Sequence, residues 1–243
     1  MKWIGYISSS LWRLWFFLVF LTTFILFIPP LFLYTAIIKN NITICTLNRY
    51  WSRMMLLFSG LFYEITYEEK LSPDKIYIFC PNHTSTLDIP LMAAVIPFPL
   101  LFMGKAELVK IPIFGYFFKQ NSIVVDRKNR RDAYSAFLNA GKKIDKGMNV
   151  CIFPEGGIPK GNIFLKKFKN GPFRLAIEKG IEIIPVSIID NKYKFPQEYY
   201  KGSPGKIRVT IHKAIKPNKN VLENLNNNTY NIIFDELKKY ESR

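Results

Sequence analysis

The feature that most constrains this chain is a run of 25 residues without a charge, at positions 14–38. The run is rich in Phe, Leu and Ile. As a straight helix it would be roughly 37 Å long, enough to cross the hydrocarbon core of a bilayer. Proline disfavours the helical region at the residue before it, so the Pro29-Pro30 pair predicts that the first helix ends near Ile28. The pattern predicts an N-terminus that binds a membrane.

A second apolar segment follows at residues 48–62, with Arg49 and Arg53 one helical turn apart. Positive charge flanks the apolar run on both sides, so the positive-inside rule gives no orientation. One interpretation is a two-helix element dipping into one leaflet, with its basic side chains at the level of the headgroups. The other is a single kinked span. Both make residues 1–62 a membrane-anchoring region and residues 63–243 a separate domain.

The charge balance indicates partners that carry negative charge. The formal net charge is +16, and residues 1–60 hold five basic residues and no acid. Such a balance suits an anionic membrane or a phosphorylated substrate. No nucleic-acid-binding module is recognisable, so no nucleic-acid partner is predicted. The three cysteines, Cys45, Cys80 and Cys151, are scattered. Cys80 and Cys151 lie in apolar strand patterns that are typical of buried reduced thiols, which favours a main domain that faces the cytoplasm beside the membrane.

From residue 63 onward, short apolar strands alternate with helical patterns. Continuous apolar strands are typical of a sheet covered on both faces, so the predicted fold is α/β, a mixed sheet covered by helices. The predicted strands are 63–67, 75–79, 100–103, 122–125, 149–153, 181–189 and 206–215. The predicted helices are 88–95, 131–146, 172–179 and 229–240, and the Asn-rich run 224–228 is predicted to be a polar loop.

Residues 79–88 read Phe-Cys-Pro-Asn-His-Thr-Ser-Thr-Leu-Asp. His83 follows a strand, and Asp88 stands where the next helix begins. Imidazole can accept a proton at physiological pH, and a carboxylate can fix its tautomer and stabilise the imidazolium. The pair could therefore activate a hydroxyl that belongs to the substrate. The plainer interpretation is a loop histidine and a helix-capping aspartate. The chain has only two histidines, and His212, in an alternating strand, is interpreted as structural.

A second candidate site ends the strand at 149–153. Glu155 follows Pro154 there, and Gly156 and Gly157 come next. Glycines allow close approach of a ligand to the backbone, and their N–H groups could meet a phosphate or a developing oxyanion. A surface turn is the plainer interpretation of the same residues.

Asn82-His83-x-x-x-x-Asp88 resembles the first motif of the glycerolipid acyltransferases, the lysophosphatidate acyltransferase family. The segment from Met103 to Leu108, with Ile111-Pro112 and Arg127, resembles the second motif region. Phe-Lys-Asn-Gly at 168–171 and Ile-Pro-Val at 184–186 resemble later segments. The resemblance covers residues 75–189 with the motifs in the expected order.

The third motif is where this chain departs from the family. Phe-Pro-Glu-Gly at 153–156 resembles the usual Phe-Pro-Glu-Gly-Thr-Arg, but Gly157 and Ile158 replace the Thr and Arg. The nearest basic residue is Lys160. Its ammonium group could substitute as a point charge, but it cannot form the bidentate hydrogen bonds of an arginine.

The resemblance implies an enzyme that moves a fatty acyl group from acyl-CoA or acyl carrier protein to the sn-2 hydroxyl of 1-acylglycerol 3-phosphate, in phospholipid biosynthesis. It implies a base, His83, oriented by Asp88. It also implies substrate-binding roles for Lys105, Arg127, Glu155, Gly156, Gly157 and Lys160. No cofactor or metal is expected, and the partners are membrane lipids and the acyl donor.

Three alternatives stay open. The acceptor could be glycerol 3-phosphate or another lysolipid. Ser85 could form an acyl-enzyme intermediate instead of direct transfer. A non-catalytic membrane lipid-binding protein would need the anchor and the basic surface, but would have no use for the pair formed by His83 and Asp88.

Overall fold

The computed structural model describes residues 2–126, 129–161, 163–218 and 222–241. Two N-terminal helices precede an alternation of strands and helices. The helices are α1 (Lys2–Phe32), α2 (Asn41–Phe58), α3 (Asp88–Val95), α4 (Phe114–Asn121), α5 (Arg130–Ile144), α6 (Gly171–Lys179), α7 (Asn191–Lys194) and α8 (Leu222–Glu241). The strands are β1 (Leu61–Tyr67), β2 (Tyr77–Pro81), β3 (Leu100–Lys105), β4 (Ile123–Val125), β5 (Asn149–Cys151), β6 (Glu182–Ile188) and β7 (Gly205–Ile211). A π-helical segment (Leu33–Ile38) continues α1, and a 3-10 helix (Ala106–Lys110) follows β3.

The strands form one sheet in the order β1-β7-β6-β2-β5-β3-β4. The five strands from β6 to β4 run parallel, and an antiparallel bridge joins Ile183 to Ile215. This confirms the predicted α/β fold with a mixed sheet. Because the parallel strands end at the same edge, the loops after β2, β3 and β5 leave the sheet on one side, where open α/β sheets bind ligands.

The chain forms two compact units. The first comprises residues 1–66, 84–97 and 188–209, and the second residues 67–83, 98–187 and 210–243. The core of the second unit is the completely buried strand β2, flanked by β5 and β6. Cys80 and Cys151 lie in this core as free thiols, and burial raises the pKa of the Cys80 thiol. The predicted domain boundary after residue 62 stays a prediction.

The first unit contains the apolar N-terminus, and its first helix is longer than predicted. The prediction of an end near Ile28 is wrong, because α1 continues through Pro29 and Pro30 and passes into the π-helical segment. Leu31, just past the prolines, is 1% exposed. Burial of this turn therefore offsets the loss of the backbone hydrogen bonds that proline cannot make.

Helices α1 and α2 form an antiparallel pair. Trp51 of α2 packs on Phe24 with ring centroids 5.2 Å apart, and its Nε1 donates to Thr23 Oγ1. Nearer the start of α1, the indole of Trp15 donates to the carbonyl of Phe58. One face of α1 stays exposed, with more than half of each of four apolar side chains open: Leu14, Leu18, Leu21 and Ile25.

By length and composition, the helix Gly5–Ile38 is able to cross a membrane. Together with the exposed apolar face, this supports membrane association. Two arginines of these helices contact the protein itself. The Nε of Arg53 on α2 donates a hydrogen bond to the carbonyl of Ala94 near the end of α3, and the side chain of Arg13 on α1 is buried.

Candidate active site

His83 lies two residues past the end of β2. Its side chain is 9% exposed, and its ring stacks on Phe153 with centroids 4.0 Å apart. Its backbone N–H donates to Oε1 of Glu155 at 2.7 Å. The backbone N–H of Asn82 donates to the carbonyl of Val186 on β6. The loop after β2 is thus tied to both neighbouring strand regions, and this holds the imidazole at the carboxyl edge of the sheet.

Glu155 joins two loops of the second unit. It is 1% exposed, and while Oε1 accepts from His83, Oε2 accepts the backbone N–H of Lys166 at 3.0 Å. Hydrogen bonds from two backbone donors stabilise a buried carboxylate. The pKa of Tyr230 on α8 is raised, mainly by burial and secondarily by the charge of Glu155. Because Glu155 accepts the backbone N–H of His83, it helps to set the position of the His83 loop.

The two glycines after Glu155 need conformations that other residues rarely adopt. Gly156 has φ of +74° and Gly157 has φ of +148°. The N–H of Gly156 donates to the carbonyl of Phe153 and closes a turn. It is therefore engaged within the loop, and Gly157 is the better candidate of the two to offer an N–H to a substrate oxyanion.

Two lysines that sequence reasoning had given no role lie beside these glycines. A Cβ added to Gly156 would stand 2.6 Å from Cε and 2.9 Å from Nζ of Lys169, so the lysine side chain runs directly over this glycine. Lys166 places its Nζ 3.5 Å from the carbonyl oxygen of Gly157. The run Lys-Lys-Phe-Lys at 166–169 was the available signal. Both ammonium groups stand beside the motif that has lost its usual arginine.

The structure shows fewer contacts for the residues that the sequence predicted to bind phosphate. Lys105 ends β3 and is exposed, and Lys160 is exposed on the loop after the glycines. Arg127 lies outside the described residues. Val125, two positions before it, pairs with Lys105 across β3 and β4.

An apolar cavity of about 210 Å³ opens next to this loop. Phe153, whose ring stacks on His83, and Gly156 lie in its wall. Helices α5 and α6 and strands β3 and β4 also contribute, through Phe137, Leu175, Met103 and Val125. Lys169 lines the same cavity and brings a cationic group to it.

Asp88 belongs to the first unit, where it is completely buried. Its Oδ2 accepts the backbone N–H groups of Thr84 and Ser85 at 2.7 and 2.9 Å, and its Oδ1 accepts Nδ2 of Asn191 at 2.7 Å. Leu87, and not Asp88, occupies the N-cap position of α3. Asp88 therefore holds the segment that directly follows His83, which disfavours a mere capping role. Asn191 was missed in the sequence because no motif contains it.

Ser85 is not placed to act as a nucleophile. It is completely buried, and its Oγ donates to the carbonyl of Phe195 at 2.6 Å. This geometry disfavours the acyl-enzyme alternative.

His212 is buried, as its structural interpretation requires. Its ring lies 2.8 Å from Ser187 Oγ and 2.9 Å from Glu68 Oε1. Ser187 is completely buried. The trio resembles a catalytic arrangement in residue type, but a serine without solvent access cannot meet a substrate. Within the described ranges, no group of three or more His, Cys, Asp or Glu residues could hold a metal ion.

Comparison with known proteins finds curated relatives that match part of this chain. The 1-acyl-sn-glycerol-3-phosphate acyltransferase of Haemophilus influenzae is 32% identical over 152 residues, 61% of this chain and 62% of that protein. The protein of that name from Chlamydomonas reinhardtii is 29% identical over 164 residues, 65% of this chain and 49% of that protein. The matches to the Chlamydomonas protein and to the Salmonella typhimurium relative span about half the length of each.

The fold is shared with a solved structure. The crystal structure of the 1-acyl-sn-glycerophosphate (LPA) acyltransferase PlsC from Thermotoga maritima superposes with a TM-score of 0.77 at 23% identity, covering 100% of this chain and 99% of that one. The family model described as Acyltransferase matches residues 63–189, which is more than half of the 243 residues. With His83, Asp88 and Glu155 inside the matched segment, the chain belongs to the acyltransferase family.

Proposed function

We propose that this protein transfers a fatty acyl group from an acyl thioester to the sn-2 hydroxyl of 1-acylglycerol 3-phosphate, which forms phosphatidic acid. The observation that carries the proposal is the position of His83, held at the carboxyl edge of the sheet by Glu155 and followed by the segment that Asp88 holds. Relatives that carry the name of this activity support it.

In the proposed reaction, His83 takes the proton of the sn-2 hydroxyl as that oxygen attacks the thioester carbonyl carbon. The tetrahedral intermediate then expels the thiolate, which receives the proton from the imidazolium, so that an ester and a free thiol leave. Asp88 keeps the loop of His83 in place and stabilises the transient positive charge. The N–H of Gly157 is the candidate donor to the oxyanion.

The phosphate of the acceptor needs positive charge, because burying an unpaired anion is very unfavourable. Lys166 and Lys169 lie beside Gly156 and Gly157 and supply charge in place of the missing arginine. Lys105 and Lys160 add exposed positive charge in the same unit. Arg127 is proposed to hold the phosphate through two parallel hydrogen bonds. The apolar cavity beside Phe153 suits a hydrocarbon part of a substrate.

The proposed location is a membrane, with α1 and α2 as the anchor and the catalytic surface facing the cytoplasm. The exposed apolar face of α1 supports an anchor that buries itself in lipid. The pairing of α1 with α2 favours the two-helix element over a single kinked span.

The decisive experiment is an acyl-transfer assay of the purified protein with acyl-CoA and with acyl carrier protein. The acceptors are lysophosphatidate, glycerol 3-phosphate and monoacylglycerol, and His83→Ala is the control. We expect transfer to lysophosphatidate that His83→Ala abolishes. Binding of lysophosphatidate without transfer from either donor would contradict the proposal and favour a lipid-binding protein.

A second candidate is acylation of a different acceptor, glycerol 3-phosphate or another lysolipid. The replacement of Thr-Arg by Gly157-Ile158 favours this second candidate, because the third motif differs there from the family pattern. A preference for one of these acceptors over lysophosphatidate in the same assay would decide for it.

A further inference from the structure

Arg13 is a charged residue in an apolar helix, and the protein itself binds its side chain. It is 4% exposed. Its Nε donates to the carbonyl of Lys201 at 2.8 Å, its Nη2 donates to the carbonyl of Pro196, and its guanidinium lies 4.1 Å from the ring centroid of Phe195. Arg13 therefore does not extend to lipid headgroups. It fixes the segment 195–201 on the first half of α1.

Aromatic contacts continue this attachment along α1. Phe17 stacks on Tyr199 with the ring planes 8° apart and the centroids 6.2 Å apart. Closer to the N-terminus, Tyr6 meets Tyr200 edge to face at 5.1 Å. Tyr199 is 53% exposed and Tyr200 48%, and Phe17 is exposed with them. The tyrosines thus extend the exposed apolar surface of α1 onto a loop from the C-terminal half of the chain.

The same loop carries positive charge. Residues 192–201 contain three lysines and one acid, Glu198, which leaves a net charge of +2. Glu198 is paired with Lys201 at 3.1 Å. Lys192 lies over the ring of Tyr193, which is 57% exposed. Exposed tyrosines mixed with lysines are the residues that proteins place at the boundary between lipid and water.

We infer that residues 192–201, the aromatic–lysine loop, form a second membrane-contact element that lies in the headgroup layer beside the first half of α1 and binds anionic lipid. Tyrosine has an apolar ring and a polar tip, so it suits that layer, and lysine is attracted to the negative lipid surface. Single exposed tyrosines are ordinary on soluble proteins. These are distinguished by their continuity with the apolar face of α1. The inference rests on the proposed membrane location but not on the acyl-transfer chemistry.

The test places an environment-sensitive fluorophore on the loop of the full-length protein through Gln197→Cys. The three native cysteines are buried, and the unsubstituted protein measures background labelling. Glu178→Cys, at an exposed acidic position on α6, is the matched control. The protein is mixed with phosphatidylcholine vesicles that contain or lack phosphatidylglycerol, and lipids spin-labelled at the headgroup act as quenchers.

We expect lipid quenching and protection from aqueous iodide at position 197 and not at position 178, with a stronger effect on anionic vesicles. Lys192→Gln combined with Lys201→Gln should weaken binding to anionic vesicles on the order of tenfold, because each lysine near the surface adds attraction. Circular dichroism checks that the variant is folded. Equal iodide quenching at both positions, in protein that co-sediments with vesicles, would overturn the inference about the loop. Failure of the unsubstituted protein to co-sediment would overturn the membrane location as well, whereas acyl transfer is measured separately with soluble acceptor.

Discussion

The side-chain amide of Asn191 donates a hydrogen bond of 2.7 Å to Oδ1 of Asp88, while Oδ2 of the same carboxylate accepts two backbone N–H groups. Both side chains are completely buried. The carboxylate is therefore oriented at both of its oxygens, and the donor to Oδ1 lies more than a hundred positions away in the chain.

Asn191→Ala should lower kcat while KM changes little, because it loosens Asp88 without touching either substrate. A small displacement at a catalytic group can reduce the rate by about ten- to a hundredfold. Steady-state kinetics with both substrates varied gives the two constants. Asn227→Ala, at an exposed position of α8, is the control. An Asn191→Ala enzyme with normal kcat would show that Asp88 needs no such support.

His83→Ala should remove nearly all turnover and leave the fold and vesicle binding intact. General acid–base catalysis contributes about 10²- to 10⁴-fold. The measurement is the single-turnover rate at saturating substrate, with circular dichroism for the fold. Near-normal turnover would rule out His83 as the base.

Asp88→Asn should lower both activity and stability, with a smaller loss of activity than His83→Ala. An asparagine has one acceptor oxygen, so its NH₂ group would face N–H donors from Ser85 and Thr84 or from Asn191. Leaving a buried donor unsatisfied costs about 1–3 kcal/mol. Thermal unfolding in detergent measures the loss, and an unchanged midpoint would contradict this account of the site.

Glu155→Gln should slow catalysis by releasing the loop of His83. Both carboxylate oxygens accept backbone N–H groups, and glutamine can accept with only one of its terminal atoms. We expect a lower kcat in acyl-transfer assays. Glu178→Gln, an exposed glutamate on α6, should behave like the unsubstituted protein. Equal activities of the two variants would refute the role assigned to Glu155.

Among the cationic residues, Arg127→Ala should raise the KM for lysophosphatidate most, and Lys160→Ala less, with the KM for the acyl donor unchanged in both. A guanidinium can hold phosphate through two parallel hydrogen bonds, whereas an ammonium acts as a point charge. An uncharged lysolipid serves as the control acceptor. If Arg127→Ala impairs both acceptors equally, Arg127 does not hold the phosphate.

Sequence reasoning predicted the strands better than it predicted the helices. It predicted α3 with its observed bounds, and it predicted every strand to within a few residues, because apolar alternation and the motifs mark them directly. It missed α4, whose short span overlaps the second motif region. It was wrong about residues 224–228, which lie inside α8. There the buried side chain of Leu225 and the hydrogen bond from Asn226 to the carbonyl of Phe168 favour helix over the local preference of asparagine.

Contacts between distant residues account for what the sequence did not show. Neither the hydrogen bond between Asn191 and Asp88 nor the one between Arg13 and Lys201 follows from any spacing along the chain. Sequence reasoning assigned Lys166 no role and placed Lys169 only in the Phe-Lys-Asn-Gly segment, whereas the fold brings both beside Gly156 and Gly157.

The φ of +148° at Gly157 limits which residues of its relatives can be introduced into this protein. Consensus redesign would replace Gly157 with the family's threonine. A β-branched residue in that conformation costs on the order of 1–3 kcal/mol, so the change would strain the loop rather than improve it. Substitution at this position is therefore coupled to the surrounding loop, including Lys169 over Gly156. Recombination with a homologue should exchange residues 153–171 as one block.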